Sequence, residues 1–174
     1  KGSTFLEMDL EGVDFRGARL EGVTFLKSRG NGAVLTSANL TNARFVQECS
    51  FEKADFRDAV LDTANLRGTR LAGSDFSEAR LAGADFSGCD LARSRMYRVS
   101  ARNALFVKAN LSEAVLVSAD LMNAILQKAD IRGADLRRAN LFQVDLARVH
   151  ADQRTNFQEA NMKKVRIYPV RKHA

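Results

Sequence analysis

The chain has 174 residues, with 27 Lys and Arg against 21 Asp and Glu, for a formal charge of +6. Its 45% apolar and 28% charged residues supply material for a core and exclude wholesale disorder. Two cysteines exclude a disulfide framework, charges recur too often for a membrane span of roughly 18 apolar residues, and no charged-then-apolar leader marks a secretory signal.

From the first residues onward a large apolar residue recurs every five positions. These centres fall at Phe5, Leu10, Phe15, Leu20 and Phe25, lapse at Gly30, and return at Leu35, Leu40 and Phe45. One extra residue shifts the frame, which resumes at Phe51, Phe56, Leu61, Leu66, Leu71, Phe76, Leu81, Phe86, Leu91 and Met96. After a lapse at Ala101 the series runs from Phe106 through Leu121 and Ile131 to Leu146. A second shift, near His150 to Thr155, leads to Phe157, Met162 and Ile167. Two residues before each centre stands a small residue, as in Ala54, Ala59, Ser74 and the alanines from Ala104 to Ala139. Between small and large lies a polar one, often Asp or Asn, as in Asp55, Asn65, Asp75 and Asn140.

No helix accommodates this pattern, because at about 100° per residue a five-residue step rotates the apolar position by roughly 140°. A continuous strand fails too, since side chains alternate with period two and each successive quintet would flip. The conflict vanishes if the chain turns a corner once per quintet, with small and large residues inward. Asp, Asn, Ser and Gly supply the corner chemistry, and stacked coils pair their strands along the axis. The pattern therefore predicts an all-β solenoid. Nine of the ten central phenylalanines (5, 15, 25, 45, 56, 76, 86, 106 and 157) occupy alternate quintets, and Phe51 alone breaks parity. Every fourth quintet from Leu20 (Leu40, Leu61, Leu81, Ala101, Leu121, Leu141, Met162) lacks Phe. An even number of sides follows, though parity does not by itself choose four.

The segments Ala54-Asp55-Phe56-Arg57-Asp58, Ala64-Asn65-Leu66-Arg67-Gly68 and Ala84-Asp85-Phe86-Ser87-Gly88 resemble the A(D/N)LXX unit of pentapeptide-repeat proteins. The resemblance spans residues 3 to 168. It implies a right-handed quadrilateral β-helix of four quintets per coil, hence about eight coils and a rod of roughly 40 Å. The expected organisation is one repeat domain over residues 1–168 and a basic tail over 169–174. Local departures at Leu26 to Gly32, Val46 to Ser50, Met96 to Asn103 and Arg148 to Thr155 leave bulges or loops open at those points without touching the fold. The repeat is already under way at Ser3-Thr4-Phe5, without an initiator Met, so a longer protein or a covering chain is expected at that end. Pro169 is expected to stop the ladder, since it cannot donate the next hydrogen bond.

Cys49 and Cys89 occupy small inward positions. With four sides they share one wall two coils apart, about 10 Å, beyond the roughly 7 Å reach of a disulfide. They read as small buried hydrophobes. His150 and His173 are scattered, so a zinc site is not expected, and no cofactor is expected either. Gly12, Gly17, Gly22, Gly68, Gly73, Gly83 and Gly88 follow the centres by two and read as turn residues. The Asp ladders lack the pocket that separates two catalytic pKa values, so no enzyme is expected.

Charge is uneven: residues 1–87 hold 11 basic and 13 acidic residues, residues 88–174 hold 16 and 8. Arg93, Arg95, Arg98 and Arg102 cluster about Ala101. Lys163, Lys164, Arg166, Arg171 and Lys172 form a basic end. Such a patch could meet phosphates, but no aromatic residues interleave with it, so a solvated surface is preferred. Apolar residues also stand at outward positions: Leu105, Val107 and Ile125 on one wall, Met122 and Phe142 on the adjoining one, and Val115, Val117 and Tyr97 on the next. This band points to a partner protein or to self-association, against the alternative of ordinary scattered surface hydrophobes.

The expected function is a non-catalytic protein–protein interaction module of a bacterial protein. It is expected in the cytoplasm, with export of a full-length protein left open. The resemblance places a secretion-system adaptor or effector, including the type VI kind, among its settings. The rival is that family's protection of DNA gyrase and topoisomerase IV by mimicry of duplex DNA. Mimicry requires a strongly negative surface, which +6 opposes unless one wall carries an acidic stripe. Direct nucleic-acid binding through the basic half is a third reading, ranked lower, and no membrane partner is expected.

Overall fold

A computed structural model describes residues 2–167. Parallel bridges join the residue before each centre to its counterpart 20 positions later, as in Asp9 to Arg29, Asp55 to Asp75 and Asp90 to Asn110. The spacing becomes 21 only where the chain carries an inserted residue, between Arg29–Ser50 and Arg44–Asn65 and again from Asp135–Asn156 onward. Twenty residues per coil is four quintets, so the even number left open by parity is four. The chain is a right-handed quadrilateral β-helix. Among the described residues only β1 (Thr4–Leu6), β2 (Thr24–Leu26) and β3 (Arg44–Val46) run long enough to be strands, and they stack in parallel with Phe5, Phe25 and Phe45 in register. We name the four walls by their first centres: Phe5, Leu10, Phe15 and Leu20.

Each quintet folds for local reasons. The N–H of Ala59 donates to the carbonyl of Phe56 at 3.1 Å, closing a turn whose third residue, Asp58, has φ 58°. Most turns repeat this, with Gly, Asn or a long polar residue in the left-handed position. The polar residue before the centre secures the corner: Asp55 Oδ1 accepts from Arg57 N–H at 3.1 Å, and Asp75 Oδ1 from Ser77 N–H at 2.9 Å. This side-chain bond two residues ahead is why Asp and Asn dominate that position. The corner after β1 and β2 differs, because the chain stays extended one residue longer and the usual turn bond is absent. The stranded carbonyls of Phe5 and Phe25 accept instead from Ser28 Oγ at 2.9 Å and Cys49 Sγ at 3.2 Å, each one coil further on.

Coils are joined in both directions. Phe56 N–H donates forward to Asp75 C=O at 2.7 Å, and Asp75 N–H donates back to Ala54 C=O at 3.0 Å. Because every position stacks on its own equivalent, rings stack on rings. Phe5 and Phe25 lie 5.1 Å apart at 8°, and Phe86 and Phe106 lie 5.3 Å apart at 10°, both on the Phe5 wall. Phe56 and Phe76 lie 4.6 Å apart at 3° on the Phe15 wall. The two opposed stacks touch edge to face at Phe76 and Phe86, 5.7 Å apart. Leucines of the other walls complete a filled interior.

Two sequence irregularities are one structural feature. Gly30 occupies a centre, and an added Cβ there would lie 2.3 Å from Cε1 of Phe51, the centre one coil later. The ring that breaks parity fills the hole that the missing side chain leaves, edge-on to Phe25 at 5.2 Å and to Phe45 at 5.0 Å. The nearby extra residue is absorbed at a corner, where Gln47 and Glu48 are both left-handed at 55° and 58°. Of the segments where bulges or loops were open, Leu26 to Gly32 holds the extended corner after β2 and Met96 to Asn103 keeps the ordinary turns. Neither segment carries an inserted residue, since Asp9–Arg29 and Arg80–Ser100 both keep the spacing of 20 and the nearby extra residue enters only at Gln47 and Glu48, so Gly30 and Ala101 vary only the filling of the core. The tail 169–174 and the proline stop lie outside the described residues.

Gly30→Ala is expected to destabilise by about 1–3 kcal/mol through overpacking. Phe51→Leu should relieve much of that cost, giving non-additive free energies in a urea-denaturation double-mutant cycle. Additive values would show that the two positions do not share one space.

Candidate interaction surface

Cys49 and Cys89 are both buried and unpaired on the Leu10 wall, with Thr69 in the coil between. Burial pushes the Cys49 thiol up and the Cys89 thiol up to about 12. Both donate to carbonyls, Cys89 to Leu66 at 2.9 Å, so they are hydrogen-bonding core residues as well as small apolar ones. His150 is exposed, and His173 lies outside the described residues. No group of three His, Cys, Asp or Glu residues converges among the described residues. Among the described residues the surface carries open hollows rather than an enclosed cleft at two places. One of about 440 Å³ is lined by Lys27, Gln47 and Glu48, and one of about 270 Å³ by Val117, Arg137, Arg138, Gln158 and Glu159.

The apolar residues of the expected band stack in columns on three walls. Leu105 pairs with Ile125 on the Phe5 wall, with Val107 beside them. Met122 and Phe142 follow one another on the Leu20 wall, where Asn123 N–H donates to Phe142 C=O. Val115 lies one coil above Arg95 and Val117 one coil above Tyr97 on the Phe15 wall, where Arg98 N–H donates to Val117 C=O. Tyr97 and Val115 are 43% and 37% exposed, and the other six are half-buried, forming a low apolar surface over three walls. Lys164 Nζ lies 5.5 Å from the centroid of the Phe142 ring. A second apolar ladder, Leu6, Leu26 and Val46, lies on the extended corner of β1 to β3. The sequence pattern had not singled it out, although three apolar residues one place after equivalent centres were its signal.

The clustered arginines are not brought together. Arg93 lies at the end of the Leu10 wall, Arg95 and Arg98 are on the Phe15 wall and Arg102 is on the Leu20 wall. Lys163, Lys164 and Arg166 sit about three coils on. Several are paired: Arg98 with Glu78 at 3.7 Å, Arg102 with Asp120, and Arg166 with the buried Asp145 at 3.3 Å. With each corner residue counted on the wall before it, the Phe5 wall carries four acids and seven bases. The Leu20 wall carries three and five, and the Leu10 and Phe15 walls seven and six each. No wall is an acidic stripe. One column of cations escaped the sequence reading, Lys108, Lys128 and Arg148, because residues 20 apart look unrelated until the coil is known.

Aspartates of the walls are held below the usual carboxylate range. The Arg57, Arg132 and Arg137 guanidiniums do this for Asp55, Asp130 and Asp135. The backbone N–H of Gly133, donating at 2.9 Å, leads in bringing Asp152 to about 2.

The sequence matches the pentapeptide repeat region model over residues 1–76 and the pentapeptide repeats model, of eight copies, over 61–96, 74–112 and 104–143. The chain belongs to the pentapeptide repeat family. Among solved structures it is similar to HetL, a pentapeptide repeat protein involved in heterocyst differentiation regulation from the cyanobacterium Nostoc sp. strain PCC 7120. That likeness has 20% identity, covers 94% of this chain and 86% of HetL, and has a TM-score of 0.62. A trypsin-treated form of QnrB1, a plasmid-mediated fluoroquinolone resistance protein, is 21% identical over 95% of this chain and 90% of its own, with a TM-score of 0.45. A pentapeptide repeat protein of the Arabidopsis thaliana thylakoid lumen is 23% identical over 74% and 68%, with a TM-score of 0.33. No curated protein sequence matches the chain.

Two outcomes are expected. Groups whose folded pKa is depressed stabilise the fold above the unfolded value of about 3.9 and lose that contribution as pH falls through the folded value. The Tm should therefore be insensitive to these carboxylates between about pH 7 and 5 and fall below about pH 4. Asp152→Asn should flatten part of the slope between about pH 4 and 2. Separately, both thiols should resist an aromatic disulfide reagent at pH 8 in the folded protein and react fully in guanidinium.

Proposed function

We propose that the chain is a non-catalytic protein-binding module that works through the outside of its walls. The carrying observation is the set of outward apolar residues Leu105, Val107, Val115, Val117, Met122, Ile125, Phe142 and Tyr97, stacked in short columns on three adjoining walls of a rod whose interior is filled. Flat rigid walls hold such side chains at fixed spacing with little entropy to lose on association, and outward apolar residues grouped in this way mark a contact site. HetL, of the same fold, is described as involved in regulation, which suits a protein partner. A second copy of the chain would bury the same band. A bacterial cytoplasmic setting, including an adaptor or effector role beside a secretion system, rests on fold analogy alone.

Mimicry of duplex DNA is the weaker reading. It needs a wall of uncompensated carboxylates, and every wall here carries nearly as many bases as acids, or more.

The test is affinity capture from a lysate of the source organism at moderate salt, with a second bait in which Val115, Val117, Met122 and Phe142 are changed to Ser. Circular dichroism should first show that the second bait is folded. A protein retained by the first bait and lost with the second is the expected result. An identical set on both baits rejects the band as the contact surface. Relief of quinolone inhibition in a gyrase supercoiling assay would restore the mimicry reading.

A further inference from the structure

The Phe5 wall of the last coils carries a feature that the fold does not require. Its outer corner runs Gly68, Gly88, Lys108, Lys128, Arg148, with φ of 69°, 69°, 58°, 59° and 58°. Glycine in the first two coils shows that the corner functions without a side chain. Lys108 N–H donates to Gln127 C=O at 2.9 Å and Lys128 N–H to Ala147 C=O at 3.0 Å, so the three cations sit one coil apart in a straight row. All three are exposed. None has an ion-pair partner among the described residues, whereas the nearby Arg132, Arg154 and Arg166 do. The one acid on this stretch of wall, Asp145, is buried and committed to Arg166 and Gln127. Beside the row, on the same flat wall, lie Leu105, Val107 and Ile125.

A row of like charges held at coil spacing repels itself in the free protein and is relieved by an anionic partner. The apolar strip along its side limits what that partner can be. The spacing limits it further. Two coil intervals span about 9.6 Å. Two turns of a helix span about 10.8 Å, whereas the first, third and fifth side chains of an extended strand, which share one face, would overshoot to about 13.6 Å.

We propose that this part of the Phe5 wall is the docking site for an amphipathic helix of a partner protein, lying along the rod axis. Its carboxylates, one per turn, meet Lys108, Lys128 and Arg148, and its apolar stripe covers Leu105, Val107 and Ile125. The proposal rests on the reading of the chain as an interaction module and adds the chemistry of what is bound.

The probe is a dye-labelled, helix-stapled peptide of about 18 residues with one glutamate per turn beside a leucine stripe. Its counterparts are the same peptide with lysines for glutamates and an unstapled scramble. The triple variant Lys108→Asn, Lys128→Asn, Arg148→Asn keeps the corner conformation, since Asn103 and Asn123 already hold φ of 58° and 60°. In fluorescence anisotropy the parent chain should prefer the glutamate helix to both counterparts. The asparagine variant should bind it about tenfold more weakly. A triple Glu variant at the same positions should prefer the lysine helix. Equal binding of stapled and scrambled peptides, no effect of the asparagine changes, or no binding by the parent overturns the proposal. So does tighter binding of duplex DNA or phosphatidylserine vesicles that is lost with the same changes. If affinity capture still yields a partner that depends on the apolar band but not on the three cations, the interaction module stands and the helix proposal falls.

Discussion

A five-residue apolar period and a two-residue alternation of side chains can be reconciled only by a backbone that turns once in every repeat, and that corner is what the rest of this molecule depends on. It requires a left-handed residue two places after each centre, supplied by Gly12, Asp58, Gly68 and Asn103 among many others. It is reinforced from the other side by an Asp or Asn whose carboxylate or amide oxygen accepts the N–H two residues on. With the corner secured, the short segments between corners have no partner within their own coil and bond to the coils above and below. An inserted residue can then be taken up only at a corner, as at Gln47 and Glu48, because anywhere else it would turn the inward residues outward.

Perfect stacking of each position on its own kind follows, with opposite consequences inside and outside. Inside, it is favourable: phenylalanine stacks on phenylalanine at 4.6 to 5.3 Å, and a hole such as Gly30 is filled by the ring one coil away. Outside, it sets like charge over like charge. Asp55 lies over Asp75 on the Phe15 wall, and the structure compensates with guanidiniums from the same coil, as Arg57 to Asp55, or from a neighbouring one, as Arg67 to Asp85. These exposed pairs add little to stability individually. Their effect is to keep the walls from becoming fields of one sign.

The same geometry explains what could be read in the chain and what could not. Periodicity is a property of one dimension, so the solenoid, its inward residues, the turn glycines and the shared wall of Cys49 and Cys89 were all legible. The even number of sides came from Phe parity, and only the bridges between coils established four. Gly30 and Phe51 were visible as two separate lapses, since nothing in a linear string says that residues 21 apart occupy one space. The arginines around Ala101 looked like a patch because they are close in sequence. In a coil of four sides, nearness in sequence means different walls, and nearness on one wall means a separation of about 20. The apolar band was found because its members were sorted by wall. The cation column was missed because the charges were not.

Outward columns therefore carry information that outward residues taken singly do not. A lone lysine at a corner is ordinary, and Lys53 is one. Three cations in succession, where the two preceding coils place glycine, no ion pair is formed among the described residues and the adjoining surface is apolar, depart from the compensation seen on the rest of the rod. The wall's core packing does not call for them either, since Ala104, Phe106, Ala124 and Leu126 fill the interior there as their counterparts do elsewhere. A fold that stacks every residue on its equivalent pays for an uncompensated column in repulsion at every step. Such a column is relieved only by what it meets outside the rod, and it is on this ground that the Phe5 wall is proposed as a docking face.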